Sequence, residues 1–224
     1  EVARMVGKSA AVAEHVAQRD LARHPGIAHR EVRQAAHDRM VPRDDAVCDE
    51  LAKLAAGAVV DDGLKQGTEY GPVQNRAQFD KLRALFEETK AEGKVLAGGP
   101  VGDGSDGFFF QPAIVRDIPE ESRLVQEEQF GPILPVLRYD DVEDAIARAN
   151  DTVFGLAATV WTADTRRGEE IARRVQAGTV WVNNHREMSP LVPFRGAKQS
   201  GVGTEYGQEG LEEYTQAKII NVTR

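Results

Sequence analysis

The sequence predicts an α/β fold: a parallel sheet with βαβ crossovers, ending in a strand that must find its partner elsewhere. Three observations predict it. From residue 133 to 184, apolar runs (ILPVL, LAATVW, TVWV) alternate with helical stretches (DVEDAIARAN, TRRGEEIARRVQ), the spacing that parallel crossovers require. Of the residues, 41% are apolar and only one is cysteine, so a core of ordinary size forms without a disulfide. The last helical stretch, GQEGLEEYTQ, runs into KIINVT, a strand-like tail with no partner in reach.

The elements follow in order. Residues 1–43 hold eight Lys/Arg against five Asp/Glu, and residues 44–224 hold 20 against 31, so the charge flips from +3 to −11 at one place. The first segment carries an apolar face of only Ala and Val and is broken at HPG. We expect residues 1–43 to be an atypical basic segment, disordered or the product of a shifted reading frame. Its histidines at 15, 24, 29 and 37 fit no ligand spacing, so no metal is expected. Asp44 and Asp45 can cap a helix with Val47, Leu51, Leu54, Ala55 and Ala58 on one side. After the turn DDGLKQGTEYGP, residues 75–91 read as a helix with Phe79, Leu82 and Phe86 on one face, stopped near Gly93. KVLAGG and FFFQPAIV are short strands around a glycine-rich loop, whose DGSDG is a surface hairpin. EEQFGP (127–132) then breaks the chain before the alternating region. A boundary near 206 separates the last helix and tail, residues 207–224.

The charge of −8 disfavours nucleic acid and anionic membranes as partners. No apolar run is long enough to span a bilayer, and no secretory core opens the chain. With a single cysteine, this predicts a cytoplasmic protein. The N-x-T triplets at Asn150 and Asn221 are then chance matches. Cys48 is the one available thiol. Asp44, Asp45, Asp49 and Glu50 surround it in sequence and would raise its pKa rather than activate it, so it reads as structural. GGPVGDG and GVGTEYG lack the strand-to-helix context of a dinucleotide cradle. Asn183, Asn184 and His185 follow a strand's C-terminal end, and read equally as site lining or as turn chemistry.

Eight blocks in a fixed order then carry a resemblance. They are GPVQN (71–75), KVLAGG (94–99), FFFQPAIV (108–115), EEQFGPILPV (127–136), AIARAND…FGLAATVWT (145–162), AGTVWVNN (177–184), PFRGAKQSGVG (193–203) and GLEEYTQAK (210–218). In these blocks the chain resembles the C-terminal part of the aldehyde dehydrogenase superfamily. The resemblance implies an oxidoreductase that converts aldehydes to acids with NAD or NADP. Glu128 would bind the ribose hydroxyls of the nicotinamide half, and Phe130 would pack beside the ring. Asn184, His185 and Met188 would belong to the substrate-entrance wall. Residues 44–206 would be part of the catalytic domain, and the tail would join a neighbouring subunit's sheet in a homo-oligomer.

The family's catalytic residues are not found. The family uses a cysteine in a Gly-Gln-x-Cys block and an upstream glutamate, whereas the corresponding stretch here is HPGIAHREVRQAAHDRMVP. No catalytic residue is therefore assigned, and a truncated chain, inactive alone, is expected. The alternative is a non-catalytic subunit that docks through its tail strand on a full-length family member. PFRG also departs from the family's PFGG: Arg195 stands where a glycine would let backbones approach.

Overall fold

The computed structural model describes residues 4–6 and 43–223. They fall into two compact units. One is drawn from Asp140–Arg224 together with β1 (Arg4–Val6), and the other from Ser9–Tyr139. The expectations for residues 1–43, including the four histidines, lie outside the described residues except at β1 and at Arg43.

The Ser9–Tyr139 unit begins with α1 (Arg43–Gly57) and α2 (Arg76–Glu92). It continues with β2 (Lys94–Pro100), β3 (Phe110–Arg116), the short α3 (Arg123–Gln126) and β4 (Ile133–Val136). The side chains of β3 alternate. Ala113 and Val115 pack with Phe79, Leu82, Leu85 and Phe86 of α2, while Ile114 packs with Ala55 of α1 and Leu134. The period-2 strand thus glues one helix to each face of the sheet.

Local chemistry sets the ends of α2. The Asn75 side chain accepts from Gln78 N at 2.9 Å, and Gly93 N–H donates to Thr89 O at 2.9 Å. α1 starts at Arg43, so Asp44 and Asp45 lie inside the helix rather than capping it. Asp45 is engaged by Arg116 of β3.

In the other unit, α4 (Val142–Asn150) precedes the two-residue β5 (Phe154–Gly155). Then come β6 (Ala157–Trp161), α5 (Thr165–Ala172) and β7 (Thr179–Val182). Asp141 and Asp164 cap the two helices, accepting from Asp144 N at 3.3 Å and Arg167 N at 3.1 Å. Ile146, Val160 and Ile171 form the core between helices and sheet. β5 pairs antiparallel with β8 (Ala197–Lys198), and α6 (Gly207–Glu212) follows.

The α/β class and its crossover are present, since β6 and β7 run parallel through α5. Each unit has its own three-stranded sheet, β2-β3-β4 and β1-β6-β7, with one parallel and one antiparallel pair. β2 and β3 are joined by a short glycine-rich loop that permits only a hairpin. α6 ends at Glu212, and residues 213–223 form no strand with the described residues. No helix among the described residues is long and apolar enough to cross a membrane.

Candidate functional site

The segment after α3 alternates in burial. Glu128 is exposed, Gln129 is 2% exposed, and Phe130 is 80% exposed. Glu127 itself is extended, and beyond it the carboxylate and the ring are exposed while the amide between them is buried.

The inward amide anchors the segment. Gln129 Nε2 donates to Ile133 O at 2.8 Å, and Gln78 Nε2 of α2 donates to Gln129 O at 2.7 Å and Phe130 O at 3.2 Å. Gly131 seats the next residue on the core, where a Cβ would stand 2.3 Å from the buried Leu82 Cδ2. Between these anchors Phe130 is held at φ +55°, a left-handed conformation costing an L-residue on the order of 1 kcal/mol. A large apolar ring is thereby exposed on strained backbone, a combination that stability alone does not favour.

The two adjacent carboxylates differ. Glu127 accepts from Arg123 at 2.8 and 3.1 Å, and Arg123 also reaches Glu88 Oε2 at 2.8 Å. The hydrogen bonds from the Arg123 guanidinium hold the Glu127 carboxyl below its ordinary range. Glu128 has no ion pair or hydrogen bond among the described residues. One carboxylate is committed to structure, and the other presents its acceptors outward. A carboxylate can accept from two vicinal hydroxyls at once, and an aromatic face limits where a flat ring can rest.

The second group lies in the other unit, after β7. His185 Nδ1 lies 2.8 Å from Thr159 Oγ1 of β6, and its ring meets Trp181 edge-on at 5.5 Å. Trp181 Nε1 donates to Glu187 O at 3.0 Å, and Asn184 Nδ2 donates to the Glu187 carboxylate. Met188, Leu191 and Val192 are exposed. Asn183 makes a turn instead, exchanging bonds with Thr162 N and O at 2.8 and 2.7 Å at φ +54°. Of the three polar residues, Asn183 is turn chemistry, whereas Asn184 and His185 brace a loop whose apolar side is open.

Cys48 is buried in α1 at 1% exposure, out of reach of a substrate. Arg195 does not play the part expected of it. Its side chain is exposed, and the close approach falls on Gly178, where a Cβ would stand 1.7 Å from Arg195 O. Glycine is needed at 178, not at 195. The DGSDG stretch is a turn in which Asp103 accepts from Ser105 N at 2.9 Å. The Asn150 amide donates to Arg174 O and accepts from Gln176 N, at 2.9 and 2.8 Å.

Sequence reasoning missed Gln78 and Gln129. Asn75 and Gln78 have the spacing of a helix-start box, which predicts that the Gln78 amide folds back on its own helix. It crosses to the loop instead. Thr159 was missed as well, although a threonine buried inside the run AATVW was a usable signal.

Residues 36–220 match the model of the aldehyde dehydrogenase family. The match starts ahead of the expected boundary at 44. Betaine aldehyde dehydrogenase of Brucella anthropi is 41% identical over 198 residues, which are 87% of this chain and 38% of that protein. A mutant of aldehyde dehydrogenase C from Pseudomonas syringae, solved with NAD+ and octanal, superposes with a TM-score of 0.72 at 36% identity, over 77% of this chain and 36% of that one. An aldehyde dehydrogenase of Mycobacterium tuberculosis in complex with NAD+ superposes at 0.72 and 35% identity, over 78% of this chain and 36% of that one. The chain thus spans 38% of the length of the curated relative quoted.

Proposed function

The chain belongs to the aldehyde dehydrogenase family, and from that premise we propose that it carries the nicotinamide-side part of an NAD(P)-dependent aldehyde-oxidising site. The observation that carries this reading is the alternation at 128–130, with a carboxylate and an aromatic ring outward and an anchoring amide inward. Glu128 would accept from the ribose hydroxyls, and the Phe130 face would limit the position of the nicotinamide. When bound, the cofactor would take up the hydride of the aldehyde. The similar structures solved with NAD+ support NAD as that cofactor. Asn184, His185 and Met188 would line the way in for the aldehyde. Residues 44–206 would serve as the catalytic-domain portion and 207–224 as the oligomerisation element.

The family reaction also needs an attacking thiolate and a carboxylate to activate water. Cys48 is buried and supplies no such thiolate. These 224 residues alone would therefore hold cofactor weakly and turn over no aldehyde. A second reading, docking on another family member, is favoured by the tail, where Ile219, Ile220 and Val222 are exposed.

The test uses the purified chain. With octanal or betaine aldehyde and NAD+ or NADP+, reduced cofactor should stay at background, and sustained production would overturn the inactive reading. Titrated with nicotinamide mononucleotide and followed by NMR, the nicotinamide protons should shift upfield. E128Q and F130A should each abolish that shift; its survival in both would overturn the clamp.

A further inference from the structure

β6 has a neighbour on each side, and its backbone tells them apart. Asn183 N–H donates to Val160 O at 2.9 Å and Thr179 N–H to Leu156 O at 3.3 Å, so Leu156 and Val160 turn their main-chain groups to β7. By alternation Ala157, Thr159 and Trp161 turn theirs to the opposite side. There β1 runs antiparallel, with Arg4 opposite Trp161, Met5 opposite Val160 and Val6 opposite Thr159. The first and last of these are therefore the hydrogen-bonding pairs, and Met5 turns its N–H away from β6.

The side of β6 that β1 covers is a poor one to leave bare. Thr159 is 1% exposed and Val160 is fully buried, and an unpaired main-chain group at such a place costs about as much as a lost hydrogen bond. The strand is also held firmly in place. Val160 packs with Ile146 and Ile171, and the Thr159 hydroxyl meets His185 Nδ1 at 2.8 Å. β1, by contrast, is a slight occupant. Its three residue pairs must offset the closure of a loop that contains the whole Ser9–Tyr139 unit. It also stops opposite Thr159 and does not reach Ala157, which faces the same side.

We propose that this side of β6 is a strand-acceptor site at which Arg4–Val6 is a replaceable occupant, and that an extended segment from outside the chain can take its place in the same antiparallel register. The site reads main chain rather than side chains. The partner it fits is an extended peptide with no proline at the positions facing β6, long enough to run from Trp161 to Ala157. Such a segment makes one more ladder pairing than β1 does. The site is separate from Glu128 and Phe130 and stands whether or not they hold a cofactor.

Proline placed by register tests this. At Val6 it removes an N–H that faces β6, whereas at Met5 it removes one that faces away, which an edge strand tolerates. Amide exchange at Thr159 and Trp161 is followed by NMR in the full 224-residue chain, in Val6→Pro and in Met5→Pro. We expect exchange at both amides to quicken at least about tenfold in V6P and to stay within about threefold of the unmodified chain in M5P. A synthetic peptide of residues 1–8, whose last residue falls opposite Ala157 in this register, should restore protection when added in excess to V6P. The same peptide with proline at position 6 should not. Should V6P fail to fold, the unmodified chain is mixed with the peptide carrying a spin label, which should broaden the amides of Ala157–Trp161. Unchanged exchange in V6P, equal losses in V6P and M5P, or a peptide that neither restores protection nor broadens β6 overturns the proposal.

Discussion

Phe130 and Gly178 show two ways in which single residues buy close geometry. At 130 an L-residue accepts a left-handed backbone because its neighbours hold it there. At 178 the chain uses the one residue without a side chain, since a Cβ would stand 1.7 Å from Arg195 O. Neither of those two backbones can yield cheaply. Gly178→Ala is therefore expected to cost roughly 3 kcal/mol or more, and Arg195→Gly less than about 0.5 kcal/mol, measured by urea denaturation. Equal effects would show that the approach had been assigned to the wrong residue. At this scale the motif points to Glu128 and Phe130 because both lie in one contiguous block. The Gln78 contact left no trace, since a hydrogen bond across 51 positions imposes no local pattern.

At the scale of elements, α2 was legible to within a residue because both its ends are set by local capping chemistry. α5 was read as too long. Past Ala172 the chain tightens, with Arg174 N bonded to Ile171 O and Val175 N to Ala172 O, and the Asn150 side chain then captures Gln176 N at 2.8 Å. That capture comes from another helix, so no local rule foretold it. The same neighbourhood carries a pH dependence. Glu143 of α4 is bonded by Arg174, which holds its carboxyl below the ordinary range. The folded state then binds fewer protons than the unfolded chain. This contribution is present above the unfolded carboxylate value of about 4.3 and is lost as pH falls through the lower folded value. Glu127 behaves alike through Arg123. Thermal melts between about pH 6 and 3 should therefore fall less steeply for E143Q than for the unmodified chain. Both pairs are exposed, so added salt should shrink the difference. Identical slopes would mean that the ion pair contributes nothing.

For the whole molecule, strand–helix alternation gave the α/β class but not the division of the described strands into three sheets. Periodicity shows that strands are buried, and says nothing about which ones share a ladder. The tail shows the complementary limit. Its apolar pattern suited a strand, yet a strand exists only where an edge accepts it, and residues 213–223 find none among the described residues. If the tail pairs on a second copy, light scattering should give a multimeric mass that removal of residues 217–224 returns to that of one chain. An unchanged mass would place the interface elsewhere. The β5–β8 ribbon adds a matter of timing. Phe154 and Gly155 pair with Lys198 and Ala197 across the whole intervening crossover, while β6 and β7 are joined by a much shorter path. Closing the longer loop first would forfeit more chain entropy for two residue pairs. The ribbon is thus expected to settle after the β6–β7 pair and to let go before it. In a partly folded chain, the loop bearing Asn184, His185 and Met188 would still be searching after the crossover beneath it had formed.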